Sequence, residues 1–128
     1  MPNRFYRRPR NRLEGRAAAQ RFLRTRQRIG THVPRRVYHE LILQLLLDAP
    51  HHTLPSRQIR RTIAERLARR FTPVDLSMRS GSVLWVNEMQ WTRKRMVMDG
   101  LLETVLSAGH GTWRLTRRGV LEAQGLLV

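Results

Sequence analysis

The sequence predicts a mainly α-helical domain carrying one small β-hairpin, and three observations predict it. Apolar residues recur at helical spacing in three successive segments between Tyr38 and Asp99. After Gly100 the pattern changes to a leucine-rich run, a glycine-containing turn and a return segment in which Trp113 and Leu115 alternate with polar residues. Thr116 then stands where the cap of one last helix is expected, ahead of a segment reaching about Gln124.

The first 35 residues read differently from the rest. Ten arginines fall from Arg4 to Arg28, and Pro2, Pro9 and Pro34 interrupt the segment. Leu13 to Arg28 holds good helix formers, among them Ala17, Ala18, Ala19, Gln20 and Leu23, with no proline. Its apolar stripe is weak (Leu13, Ala17, Phe22, Leu23), which predicts an arm, extended first and then helical, that orders on contact with something else. Pro34 suits the first turn of a helix. The run Tyr38–Asp48 is apolar nearly all round, the mark of a buried first helix, and it stops before Pro50. The segment His51–Pro55 reads as a connector with a short strand at Thr53 and Leu54. Ser56 is a good cap for a second helix. There Ile59, Ile63, Leu67 and Phe71 repeat every four residues while Arg57, Arg60, Arg61, Arg66, Arg69 and Arg70 fill the other faces.

Thr72–Ser82 is the longest loop, with room for one helical turn after Thr72. A third helix runs from about Val83 to Asp99, closed by Gly100 in a left-handed cap. Leu101–Leu106 reads as a strand despite poor alternation, Ser107–Gly111 as a turn and Thr112–Thr116 as the returning strand. Three helices followed by a hairpin is the order of a winged helix-turn-helix, the third helix being the usual recognition element and the hairpin the wing. The expected division is an arginine-rich, partly helical arm over residues 1–35 and a winged-helix domain over residues 36–128.

Composition narrows the function. A chain of 128 residues has room for one domain, and 41% hydrophobic residues is well above the disordered range. Twenty-five basic residues against nine acidic give a net charge of +16, a self-repulsion from which no domain of this size gains stability. A polyanion that releases counterions on binding accounts for it. Lys94 is the single lysine among those bases, and arginine forks onto phosphate and guanine bidentately where lysine does not. A GC-rich coding sequence would also favour arginine, but it would not remove the acids.

Double-stranded DNA is the expected partner, with RNA or the ribosome as the alternative, and a homo-oligomer or a partner protein left open. No apolar run is long enough to span a membrane, and the N-terminus lacks the apolar core of a secretory signal. Residues 13–28 supply few of the bulky apolar groups that a membrane-surface helix needs. The expected location is the cytoplasm, on the nucleoid. The arginine-rich start also has the look of a mitochondrial transit peptide, but such peptides are serine-rich and the first serine here is Ser56. The absence of cysteine removes disulfides, cysteine-type zinc fingers and thiolate nucleophiles.

An ordered series of residues points further. Ser80-Gly81 precedes the third helix, Asn87 and Trp91 lie on it, and Gly100-Leu101-Leu102 follows it. Gly111-Thr112-Trp113-Arg114-Leu115-Thr116 and Gly119 complete the series. On these residues the stretch from about Pro34 to Gly125 resembles the N-terminal domain of the Mrr-type restriction endonucleases. The resemblance implies a winged-helix DNA reader in a restriction or defence setting. It does not imply a nuclease, because enzymes of that type carry a separate domain with an acidic metal centre and a catalytic lysine. Here the nine acids are scattered without a Glu/Gln-x-Lys arrangement, and the one lysine lies in the third helix. No enzymatic activity, catalytic residue or cofactor is expected.

The candidate contacts follow from the predicted faces. On the third helix Trp85, Val86, Met89, Met96 and Val97 share the arc that packs on the first two helices. Asn87, Trp91, Lys94 and Met98 lie opposite, flanked by Gln90 and Arg95. Asn87 and Gln90 are candidates for bidentate pairing with adenine, and Lys94 and Arg95 for guanine or phosphate. Stacking on DNA is open to Trp91, but closure of the core against the arm or the Thr72–Ser82 loop is the preferred reading. In the wing His110 and Arg114 are the candidate contacts, and Trp113 is expected in the core. Arg57, Arg60 and Arg61 begin the second helix, the end that meets the phosphate backbone in helix-turn-helix docking. Arg4, Arg7, Arg8, Arg10 and Arg12 have the composition of a minor-groove arm. Of the five histidines, His51 and His52 are adjacent, the others lie far along the chain and no carboxylate stands at ligand spacing, so no metal site is expected.

Overall fold

A computed structural model of the protein describes residues 31–126, so the expectations for the arm, including Arg4, Arg7, Arg8, Arg10 and Arg12, lie outside the described residues. The elements are α1 (Arg35–Asp48), a 3-10 turn (Pro50–His52), β1 (Thr53–Pro55), α2 (Ser56–Leu67), β2 (Met78–Arg79), β3 (Ser82–Val83), α3 (Leu84–Met98), α4 (Val105–Ala108), β4 (Thr112–Arg114) and α5 (Arg117–Ala123). The fold is mainly α with small antiparallel pairs, in the order of a winged helix-turn-helix. The described residues fall into two compact units, one of residues 31–33 with Leu67–Asn87, the other of Pro34–Arg66 with residues 88–126.

In the larger unit Pro34 stands just before α1 in extended conformation (φ −63°, ψ 147°), one position earlier than its sequence preference suggested. Tyr38, Ile42, Leu43 and Leu46 are buried, while Glu40, Gln44 and Asp48 form an exposed stripe at four-residue spacing. α1 is therefore amphipathic and not enclosed on all sides; its extra leucines, Leu41, Leu45 and Leu47, are half-buried. α5 packs on α1, and Gln44 Nε2 donates to the Ala123 carbonyl at 3.2 Å. Ile59 and Ile63 of α2, Met89 and Met96 of α3, and Leu101, Leu102, Trp113 and Leu115 of the wing complete the core. Burying a side chain of this size stabilises by about 1.5–3 kcal/mol.

His51 and His52 adopt left-handed φ values of 55° and 53°, which swing the chain from α1 into β1. His52 is tied back to α1 through its ring Nδ1, 3.2 Å from the Leu47 carbonyl oxygen. α3 ends as Gly100 (φ 78°) predicted: the Gly100 N–H donates to Val97 and the Leu101 N–H to Met96, the paired bonds of a Schellman cap. Thr116 caps α5 by accepting from the Gly119 N–H at 2.9 Å. A Cβ at Gly119 would overlap the Leu101 carbonyl oxygen, so only glycine lets α5 approach the wing this closely.

The wing departs from the expected hairpin. Leu101–Leu106 is not a strand: it contributes a single bridge, Leu102 to Leu115, and then turns into α4. The Thr104 hydroxyl accepts from the Ser107 N–H, and Gly109 (φ 99°) ends the helix, so a cap and a stop override the strand reading of Val105 and Leu106. The poor alternation of that segment was the signal. The expected turn at Ser107–Gly111 is partly this helix. β4 pairs instead with β1, with Thr53 opposite Arg114, Leu54 opposite Trp113 and Pro55 opposite Thr112.

In the smaller unit the residues read as a loop are ordered by two devices. Thr72 and Asp75 cap each other, the Asp75 N–H donating to Thr72 Oγ1 and the Thr72 N–H to Asp75 Oδ2. The same buried carboxylate also accepts from the Val33 N–H at 3.0 Å. β2 and β3 then form a hairpin that sequence reading missed, closed by Ser80 (φ 50°) and Gly81 (φ 84°). Two consecutive positive φ values are those of a type I′ turn, and the Ser-Gly pair was its signature. Phe71 stacks on Trp85, ring centroids 5.0 Å apart.

Candidate nucleic-acid interface

The chain opens α2 against the wing. The Ser56 N–H donates to the Gly111 carbonyl at 2.8 Å, directly after the β1 residue that pairs with Thr112. This bond brings together Arg57 at the start of α2 and His110 at the wing tip, both exposed. Arg60 and Arg61 continue the exposed basic surface of α2. Gly109 and Gly111 hold left-handed conformations around His110, so the tip is narrow and its backbone is accessible.

On α3 the apolar arc is as expected, with Trp85, Val86, Met89 and Met96 buried. The outward residues Gln90, Trp91, Lys94, Arg95 and Met98 are exposed. Trp91 is 54% exposed and does not belong to the buried core, and the expectation that it packs against the arm lies outside the described residues. Cations lie over its ring instead, Lys94 Nζ at 5.0 Å and the Arg35 guanidinium at 5.9 Å from the centroid. Arg35 is also held by Glu88, Nη2 to Oε2 at 2.8 Å. Arg95 pairs with Asp99 at 3.4 Å, an exposed i,i+4 contact of little energetic weight.

Two candidates face inward. Asn87 uses both ends of its amide within the chain: Oδ1 accepts from Ser82 Oγ at 2.5 Å and Nδ2 donates to the Arg79 carbonyl at 2.9 Å. It fastens the β2–β3 hairpin to the first turn of α3. Arg114 reaches Thr53 Oγ1 at 3.1 Å and, more loosely, Glu103 and the Ser107 carbonyl, which ties β4 to β1 and α4. A second base is likewise engaged. Arg93 lies over the Trp113 ring at 5.5 Å with its Nε buried and unpaired, and burial lowers its pKa from the ordinary arginine value without discharging it.

Sequence reasoning missed Arg35, Arg36 and His39. They precede or begin the apolar run of α1, where the arm-to-domain boundary drew attention away from them, yet they line one cleft with Trp91 and Lys94. Their spacing at i, i+1 and i+4 on a helix start was the available signal. Among the described residues no three histidine or acidic side chains converge to hold a metal ion, and no helix is long and apolar enough to cross a membrane.

Element order gives a small, mainly α domain with a winged helix-turn-helix-like layout and exposed cations on its surface. Residues 38–122 match the Mrr N-terminal domain, a restriction-system domain, and the chain belongs to that family. The family is the one that the series from Ser80 to Gly119 resembles. No curated protein and no solved structure gives a significant match.

Proposed function

We propose that this chain is a non-catalytic reader of double-stranded DNA in a restriction or defence setting, acting on the nucleoid. One observation carries the reading: exposed cations stand on both helices of the helix-turn-helix pair, Arg57, Arg60 and Arg61 on α2 and Lys94 and Arg95 on α3, with Gln90 beside them. In this reading α2 and His110 hold phosphates, α3 faces the bases, and the arginines of residues 1–12 extend the contact along the backbone. The non-catalytic reading is supported by how the acids are used. Asp75 caps a turn, Glu88, Asp99 and Glu103 face arginines, and a hydrolytic metal centre would need such carboxylates together and open.

Duplex binding followed across salt concentrations tests the reading. With about 6–8 phosphates engaged, log K against log salt should slope near −5 to −7, and a slope shallower than about −2 overturns the electrostatic mode. Competition with structured RNA at equal salt decides the polyanion, the expected winner being duplex DNA. Incubation with magnesium or manganese should leave the DNA intact, whereas nicking that co-purifies with the protein would make it an enzyme.

A further inference from the structure

The larger unit carries a cleft of about 540 Å³ between the start of α1 and the outward side of α3, a size suited to a small ligand. Three of its features bear on what fits there. Trp91 presents a large, half-exposed indole, and Met98, 72% exposed, faces the same cleft. A flat aromatic surface beside a polarisable apolar one is a platform for another planar ring. The second feature is charge. Arg35 and Arg95 each face a carboxylate, Glu88 and Asp99, whereas among the described residues no carboxylate pairs with Arg36 or Lys94, and His39 lines the same cleft. The third is proximity: the Lys94 and Arg35 heads lie over the Trp91 ring, 5.0 and 5.9 Å from its centroid, so a base that stacks there takes the place of a cation that remains within reach of its phosphate.

A planar aromatic group joined to a phosphate complements this set, and both strands of a paired duplex keep that group stacked inside. We propose that the α1–α3 cleft binds one unpaired nucleotide unit, its base stacked on Trp91 and its phosphate held by Arg36 and Lys94. Two sources present that chemistry: a nucleotide extruded from bound nucleic acid, which rests on the DNA-binding reading above, and a free mononucleotide, which does not.

The test uses the full chain and two probes. AMP is titrated directly, with binding followed by isothermal titration calorimetry, a readout that does not depend on Trp91. In parallel, a duplex with one unpaired 2-aminopurine is compared with its fully paired counterpart by anisotropy. The bulged duplex should bind about tenfold more tightly, with 2-aminopurine emission quenched as it stacks. Trp91→Ala should abolish both that preference and AMP binding, Trp91→Phe should retain both, and Arg36→Ala should weaken both. Since Trp91 is half-exposed, the variants are expected to fold, and unchanged melting checks this. AMP binding that depends on Trp91, without a bulge preference, supports the cleft and assigns the free nucleotide. A bulge preference that depends on Trp91, without AMP binding, supports it and assigns the extruded one. If the wild type fails to bind paired duplex, the DNA reading falls while the AMP arm still decides the cleft. If neither response changes in Trp91→Ala, the proposal is overturned.

Discussion

The two halves of α3 carry polar residues on the same outward register and use them in opposite ways. In the first turns Asn87 turns back, its Oδ1 accepting from the Ser82 hydroxyl and its Nδ2 donating to the Arg79 carbonyl, and so fixes a hairpin. Farther along, Gln90, Lys94 and Arg95 project outward, engaged within the described residues by the loose Arg95–Asp99 pair and the Lys94 contact with the Trp91 ring. Helical periodicity assigns all four to one side and cannot separate them. What separates them is the neighbour: a two-residue turn at Ser80-Gly81 folds a carbonyl and a hydroxyl back onto position 87, and nothing comparable folds onto position 90. An outward register is thus a necessary condition for contact with a ligand and not a sufficient one.

Substitutions that sort residues into these two uses sharpen the comparison. The largest effect belongs to the inner face. Met89→Ala should cost about 2–5 kcal/mol through the cavity it leaves, read by urea unfolding, with DNA affinity of the folded protein unchanged. Gly119→Ala should cost about 1–3 kcal/mol, because the new methyl meets the Leu101 carbonyl and α5 must shift. A folded, fully stable Gly119→Ala would mean that α5 is not held against the wing as described.

Asn87→Ala comes next and is the direct test of the first half of α3. Loss of two partly exposed hydrogen bonds should lower stability by about 1 kcal/mol. Binding to a selected site and to random DNA should fall together, if at all. An intact melting transition combined with loss of sequence preference would break the comparison and restore Asn87 as a base reader.

The same distinction explains what the sequence made legible. The three long helices followed from periodicity, the Gly100 cap and the Thr116 cap were readable from residue type, and Trp85, Val86, Met89 and Met96 of the predicted α3 core arc are buried while Val97 is half-buried. These depend on local chemistry alone. The wing failed because Leu101–Leu106 had to choose between strand and helix, and a Thr104 cap with a glycine stop decided against the strand. The β2–β3 hairpin was missed because four strand residues are too few to show alternation. Among candidate contacts, Arg57, Arg60, Arg61 and His110 emerged exposed as read, whereas Arg114 was claimed by Thr53, a residue 61 positions earlier. The Arg35–Arg36–His39 group was overlooked for the same reason: its meaning lies in Trp91, across the fold. Local spacing can place such residues on one helix face, but it does not name the partner at long sequence separation.

The smallest effect on the fold, and the most informative about binding, falls at Gln90 and Lys94. Both are exposed, so truncation to alanine should change unfolding free energy by less than about 0.5 kcal/mol. Their binding phenotypes should nevertheless differ from each other. A glutamine amide pairs bidentately with adenine, and its loss removes about 1–3 kcal/mol of discrimination at a preferred site while leaving random DNA almost untouched. A lysine that neutralises a phosphate contributes equally to every sequence, so Lys94→Ala should weaken both DNAs and reduce the salt slope by about one. Selection from a random duplex library supplies the preferred site, and titrations of both variants on that site and on random DNA at several salt concentrations separate the two roles. If both variants lower affinity by the same factor on both DNAs, the second half of α3 contributes charge alone. If neither changes binding, its outward face is solvated surface, and the difference between the halves of the helix concerns only the fold.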